Sequence, residues 1–231
     1  MEMTPVQAVQ KIKGASAITF LTGAGVSTAS GIPDYRSLQG VYHGIEAPEY
    51  LLSRDCLLAE PGKFYQFVKH LYHAEAKPNV IHKKIATLEK CKKVWTVSQN
   101  IDGLHQQAGS QNLVNFHGSL YHCRCQKCGE KIPWQDYLQS DRHEVCGGQI
   151  RPEIVLYGEG FSQETLDLAV KAVSQADLIV IVGTSFQVHP FCDLIHYGPD
   201  AEILAINQTP LTLPRAFAMV QCSGEEVFSL L

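Results

Sequence analysis

Apolar residues in this chain gather into short unbroken runs instead of alternating with polar ones. Ala17–Thr22 (AITFLT) is the first, Val94–Ser98 the second, Leu178–Gly183 the third and Ile203–Asn207 the fourth, with a weaker fifth at Ala218–Cys222. Continuous runs of this length suit strands buried on both faces, so they predict a parallel sheet. Segments with helical spacing lie at Pro5–Lys13, Pro61–His73, Ile81–Cys91 and Gln163–Gln175. Strand and helix alternate, which predicts a doubly wound α/β core. Two stretches break the rhythm. Residues 37–79 are helical and rich in Tyr, His and Leu, and residues 118–151 hold clustered cysteines among turn residues. Both read as insertions into one unit spanning 1–231, whose core is 1–36, 80–117 and 152–231.

Composition narrows the class. The 231 residues carry 19 Lys and Arg against 23 Asp and Glu, a net charge of −4. Such a chain has no general attraction to a phosphate backbone, so no nucleic-acid partner is expected. The longest strongly apolar run, Leu178–Val182, is far short of the roughly 18 residues that suggest a membrane span, and Met1–Gly14 lacks the apolar centre of a signal peptide. A cytoplasmic protein without a membrane partner is expected. Of eight cysteines, Cys123, Cys125, Cys128 and Cys146 crowd into one stretch. In a reducing compartment such a cluster points to metal before disulfide.

Chemistry-bearing residues gather at predicted strand ends. Gly23, Gly25 and Gly31 follow the first strand in a GxGxxxxxG pattern. Glycines at a strand-to-helix turn let backbone approach a phosphate, although a tight turn could serve packing alone. Asn207 ends the fourth strand, where it could bond ribose hydroxyls. In GIPDYR, Pro33 stiffens a loop whose Tyr35 and Arg36 could cover a ligand, or whose Asp34 and Arg36 could simply pair. SQNIDGLH (98–105) ends the second strand. There, Gln99, Asn100 and Asp102 can form a polar pocket, or the Asp can cap the next helix. His117, between Phe116 and Gly118, can act as a general base near neutral pH or be structural.

Taken in order, GAGVSTASGIPDYR, SQNIDGLH, FHG, the cysteine cluster, GTS and NQT resemble the sirtuins, NAD-dependent protein-lysine deacylases. The resemblance runs from about Ala15 to Cys222, and the short chain is similar to bacterial members. It implies a Rossmann-like domain bearing a small domain built from a zinc module and a helical insertion, with NAD and acyl-lysine proteins or peptides meeting between them. By that resemblance Gly23, Ala24 and Gly25 hold the pyrophosphate, and Thr28, Tyr35 and Arg36 belong to a loop over the NAD. Gln99, Asn100, Ile101 and Asp102 shape the nicotinamide and ribose pocket. Gly183, Thr184, Ser185 and Asn207 take the adenosine half, with Cys222 near the adenine. Asn100, Asp102 and His117 are the implied catalytic residues, His117 as general base on the ribose. The implied products are free lysine, nicotinamide and O-acyl-ADP-ribose. The peptide is expected to add as a strand between Val155, Tyr157, Gly158 and Glu159 on one side and Phe186–Val188 on the other.

The chain departs from the family in two places. The family's second Cys-x-x-Cys reads His143-Glu144-Val145-Cys146 here. Tetrahedral zinc accepts imidazole, so Cys125, Cys128, His143 and Cys146 are the favoured ligands of a structural zinc. Cys123 as the fourth ligand, or a lost metal, are the alternatives. Family members that remove succinyl groups carry Tyr-x-x-Arg in the helical insertion, where this chain has Tyr65 and Val68. An apolar wall and a preference for apolar acyl groups follow, with Lys69 pointing away. The same fold could instead run NAD hydrolysis or ADP-ribosylation, or serve as a non-catalytic NAD sensor. His70, His73, His82, His105, His122, His189 and His196 are expected at the surface or in supporting roles, and Cys56, Cys91 and Cys192 as small core or surface residues.

Overall fold

A computed structural model describes residues 1–34 and 48–231. In chain order the elements are α1 (Pro5–Gly14), β1 (Ala17–Thr22), α2 (Pro48–Leu51), α3 (Arg54–Ala59), α4 (Pro61–His70) and α5 (Val80–Glu89). Next come β2 (Lys93–Ser98), α6 (Leu104–Gln107), β3 (Leu113–Asn115), β4 (Gly118–Cys125), β5 (Lys131–Ile132), α7 (Trp134–Gln139) and β6 (Ile150–Ile154). The chain ends with α8 (Gln163–Ser174), β7 (Leu178–Val182), β8 (Glu202–Asn207), β9 (Ala218–Gln221) and α9 (Gly224–Phe228).

The large sheet has six strands in the order β3-β2-β1-β7-β8-β9, paired in parallel throughout. Its apolar runs are buried on both faces, as unbroken hydrophobicity requires. Ile18, Phe20, Val180 and Ile206 pack on one face against α1, α5 and α9. Leu21, Val97, Ile179 and Ala205 pack on the other against α8 and the turn Phe191–Tyr197. Helix α1 starts on a capping box in which the Thr4 hydroxyl accepts from Gln7 N–H and the Gln7 side chain accepts from Thr4 N–H.

The second sheet is antiparallel, ordered β5-β4-β6. It shares one hydrophobic cluster with the helical insertion: Leu51, Phe64, Phe67 and Val68 meet Leu120, Tyr137, Ile150 and Leu156. The two interruptions of the α/β rhythm thus bury their apolar faces on each other, because neither short segment could do so alone. Strand connectivity leaves β1 in one direction for β2 and β3, and in the other for β7, β8 and β9. The crevice outside the carboxyl ends of β1 and β7 is therefore the topological switch point, where open α/β sheets bind ligands.

Candidate active site

Two glycine turns meet at the switch point. Gly25 N–H donates to the Gly183 carbonyl at 2.8 Å, closing the β1 loop on the β7 loop. A Cβ on Gly25 would lie 2.7 Å from Gly183 Cα. Gly183 has φ +60°, and its own Cβ would lie 2.6 Å from Val26 N. Neither position accepts a side chain without moving backbone, which keeps the crevice floor bare.

Two adjoining cavities open from this floor, of about 430 and 370 Å³. The smaller runs along the strand ends past Thr28, Thr184, Ser185, Asn207 and Cys222. The larger is mostly apolar and passes Leu71, Ile101, Val155, Tyr157, Phe161 and Val188. Ala24, Gln99, Asn100 and His117 line both, so they stand at the junction.

The junction is held by a connected hydrogen-bond network. Ser27 Oγ donates to Asp102 Oδ2 at 2.6 Å and accepts from Asn100 Nδ2 at 3.0 Å. Asp102 Oδ1 also accepts from Leu104 N–H, a short Asx-type turn leading into α6. Burial pushes the Asp102 pKa above the usual carboxylate range, while the bonds from Ser27 and Leu104 work against that rise. Gln99 Nε2 donates to Thr184 Oγ1 at 3.1 Å, tying the β2 end to the β7 end. His117 Nδ1 lies 3.0 Å from the Gln99 carbonyl. A carbonyl only accepts, so Nδ1 carries a proton. Phe116, Phe161 and Phe191 surround the imidazole ring.

Beneath this floor lies a second layer that sequence reasoning missed. Thr22 Oγ1 donates to Ser98 Oγ at 2.9 Å and lies 3.1 Å from His105 Nε2. Ser98 Oγ in turn accepts from Asn100 N–H. Of the two placements expected for His105 and His82, surface or supporting, the structure shows the buried one: they are 3% and 0% exposed, with rings 4.7 Å apart. Helix α5 and the turn after β2 meet there, so both rings are sealed between elements instead of facing water. Desolvation pushes the pKa of His82 down to about 4 and holds His105 well below its ordinary value.

The apolar cavity wall is also braced. Glu159 accepts from Arg151 Nη1 at 2.6 Å, from Nη2 at 3.1 Å and from Leu156 N–H at 3.1 Å. Burial alone would raise the Glu159 carboxyl, but the Arg151 guanidinium and the Leu156 N–H hold it below its ordinary value. Val155 N–H donates to the His117 carbonyl. Tyr157 N–H donates to Leu52, and the Tyr157 carbonyl accepts from Arg54 N–H. Strand β6 ends at Ile154, and the main chain of Tyr157 is already paired to the helical insertion. Any peptide strand must therefore use other main-chain groups of this wall. Tyr65 and Val68 do not line either cavity among the described residues. Tyr65 Oη donates to the Tyr137 carbonyl, and Val68 is fully buried in the shared core. Lys69 Nζ lies 5.0 Å over the Tyr65 ring, on that same side. Tyr35 and Arg36 lie outside the described residues.

The cysteine cluster brings four candidate ligands to one point. Cys125, Cys128, His143 and Cys146 bring their ligand atoms together. Separations are 3.5 Å for Cys125 Sγ to Cys146 Sγ, 3.3 Å for Cys128 Sγ to His143 Nδ1 and 3.2 Å for His143 Nδ1 to Cys146 Sγ. Tetrahedral zinc with bonds of about 2.0–2.3 Å needs donors roughly 3.3–3.8 Å apart, so three thiolates and one imidazole fit the ion. Two matching turns present the ligands, Gly129 N–H to Cys125 O and Gly147 N–H to His143 O. A Cβ on Gly148 would sit 2.6 Å from Cys125 Sγ and 3.2 Å from Cys146 Sγ. His143 Nε2 is 3.5 Å from Glu130, which orients Nδ1 toward the thiolates. Cys123 faces the other way, with Sγ donating to the Leu120 carbonyl, and burial pushes its thiol up to about 11.

Fold and site together define an α/β protein with a dinucleotide-type crevice at the switch point and a second, apolar channel meeting it at one histidine. The Sir2 family model matches residues 23–190, and the chain belongs to the Sir2 family. An NAD-dependent protein deacetylase of Enterococcus faecalis is 62% identical over 229 residues, covering 99% of this chain and 97% of the relative. A solved Sir2 homologue–NAD complex superposes with a TM-score of 0.87 at 30% identity, covering 97% of this chain and 91% of that one. A Sir2–p53 peptide–NAD+ structure gives 0.84 at 29% identity, covering 97% and 95%.

Proposed function

We propose that this chain is an NAD-dependent protein-lysine deacetylase. The observation that carries the reading is the placement of His117, Asn100 and Gln99 where the two cavities join, with the His117 ring oriented by the bond from Nδ1 to the Gln99 carbonyl. Family membership, the named E. faecalis relative and the NAD and peptide complexes among the structural neighbours support it.

NAD, when bound, supplies a ribose carbon that loses nicotinamide and accepts the acyl oxygen of the lysine amide. The strand-end cavity fits its adenosine half at Thr184, Ser185, Asn207 and Cys222, and its pyrophosphate at Ala24 and the bare glycine floor. Asn100, Ile101 and Asp102 hold the nicotinamide end, with Ser27 fixing the orientation of both polar side chains. His117 Nε2 takes the proton from a ribose hydroxyl, which frees that oxygen to attack the acyl carbon. The aromatic cage of Phe116, Phe161 and Phe191 excludes water that would otherwise compete for the sugar. With one water consumed to release the amine, free lysine, nicotinamide and O-acyl-ADP-ribose would result.

The peptide lies in the apolar channel between Val155–Glu159 and Val188. No Lys or Arg lines that channel among the described residues, whereas Asp102 and Glu159 do. Apolar acyl groups are therefore preferred over succinyl, on the chemistry of the channel wall and not on Val68. His117→Ala tests the assignment. We expect turnover to fall by about 10²–10⁴-fold, the usual contribution of a positioned base, with NAD affinity kept within a few-fold. Turnover near the wild-type rate would remove His117 from the chemistry.

A further inference from the structure

Beyond the four-ligand cluster, one other group of metal-ligating side chains stands together among the described residues: His189, Cys192 and Asp193. His189 Nδ1 is 2.7 Å from Asp193 Oδ2 and 3.5 Å from Cys192 Sγ. The four-ligand cluster in the same molecule shows donor separations of 3.2–3.5 Å. The Cys192–His189 separation matches that scale, and the shorter His189–Asp193 contact is a hydrogen bond that an ion would open by several tenths of an ångström.

The backbone builds this arrangement. Cys192 N–H donates to the Val188 carbonyl and Asp193 N–H to the Pro190 carbonyl, forming a tight turn that brings positions 189, 192 and 193 to one side. Phe191, Leu194 and Ile195 of the same turn are buried in the core under β7 and β8. The turn is thus anchored from below, with His189 and Asp193 turned to solvent and Cys192 half-buried against that core. His189 and Asp193 side chains are 73% and 46% exposed, so an ion can reach them from solvent. A fixed backbone that gathers a nitrogen, a sulfur and an oxygen is a preorganised three-point site. Among the described residues no fourth ligand joins it, which leaves one position for water.

Its location gives it a consequence. Val188 and His189 form part of the apolar channel wall, opposite Val155–Glu159. We propose that His189, Cys192 and Asp193 form a second, labile zinc-type metal site at the mouth of this channel, and that filling it slows passage of the peptide. On binding, the Cys192 thiol releases its proton to solvent, and the metal replaces the hydrogen bond between His189 Nδ1 and Asp193, the Nδ1 hydrogen passing through solvent to Nε2. The metal then ties the wall segment 188–189 to the turn behind it. The binding claim stands on geometry alone, and the effect on turnover rests on the deacetylase reading above.

The test uses protein that retains one zinc after dialysis, titrated with Zn²⁺ against a chromophoric competing chelator. A second equivalent should bind in the micromolar range. It should weaken at least tenfold in Cys192→Ser and in Asp193→Asn, and remain in Cys91→Ser. No second equivalent, or one that neither substitution weakens, would overturn the site and leave a plain His–Asp pair. In the same buffers, deacetylation by the wild type should fall several-fold as the second site fills, and Cys192→Ser should resist. A filled second site with unchanged turnover would overturn the link to the channel. Inactivity of every variant at every zinc level would count against the deacetylase reading, and the titration would still decide the site.

Discussion

A single hydrogen bond from His117 Nδ1 to the Gln99 carbonyl selects which imidazole nitrogen can take a proton. His117 is legible from its FHG setting and its place in the ordered motifs, but its tautomer depends on a carbonyl 18 residues away. Ser27 was not legible at all. It sits inside the glycine-rich loop with nothing to mark it, and only the fold places it between Asn100 and Asp102. His82 and His105 likewise gain meaning only when two elements close over them. Both have folded pKa values below the unfolded one, so the unfolded chain binds more protons and stability rises with pH. For His82 the window runs from its ordinary 6.5 down to about 4, and stability is lost as pH falls through it. We expect urea unfolding to show a loss on the order of 2 kcal/mol between about pH 7 and pH 5 from His82 alone. His82→Leu should flatten that dependence; an unchanged slope would refute the role. The channel wall makes a separate prediction at this scale. With no guanidinium lining it among the described residues, a succinyl-lysine peptide should turn over at least tenfold more slowly than its acetyl counterpart. Comparable kcat/KM values would mean a cation reaches the channel.

At the scale of elements, the unbroken runs of β1, β2, β7 and β8 made the parallel sheet readable, because burial on both faces leaves a plain hydrophobic signature. Strand β3 (Leu113–Asn115) is three residues long and gave no such signature. Strands β4 and β6 were hidden among the turn residues of the metal module, and their apolar positions pack into a core shared with another segment. Val155–Glu159 lines the larger cavity, and its pairing to Leu52 and Arg54 is tertiary and invisible in sequence. What braces it is the fork from Arg151 on β6 to Glu159. Arg151→Ala should cost about 2–3 kcal/mol of stability, since Glu159 keeps some solvent exposure. Glu159→Gln keeps the shape and loses the charge. It should raise KM for an acetyl-lysine peptide several-fold while leaving NAD affinity nearly unchanged. Equal changes in both would show that the brace supports the fold and not the channel.

Over the whole molecule, three hydrophobic cores divide the labour. Two sandwich the large sheet, and the third welds the metal module to the helical insertion. The cluster of Cys125, Cys128, His143 and Cys146 sits at the far end of β4, whose other end begins one residue after His117. Because folding of such a module is coupled to metal binding, removing zinc should loosen the third core first. Cys125→Ser with Cys128→Ser should release about one zinc per chain, lower the melting temperature and abolish peptide turnover. A metal-free, fully active native protein would contradict the structural role. The motifs made both the switch-point crevice and the histidine legible as separate sites; their meeting at one junction is a property of the assembled chain.

That junction is the central claim, and product balance tests it most directly. The zinc-loaded protein is incubated with an acetyl-lysine peptide and NAD, and deacetylated peptide, nicotinamide and O-acetyl-ADP-ribose are quantified together by mass spectrometry. The account predicts the three in equal amounts. Nicotinamide released without deacetylated peptide would contradict it, because the sugar would then be captured by something other than the acyl-lysine in the channel.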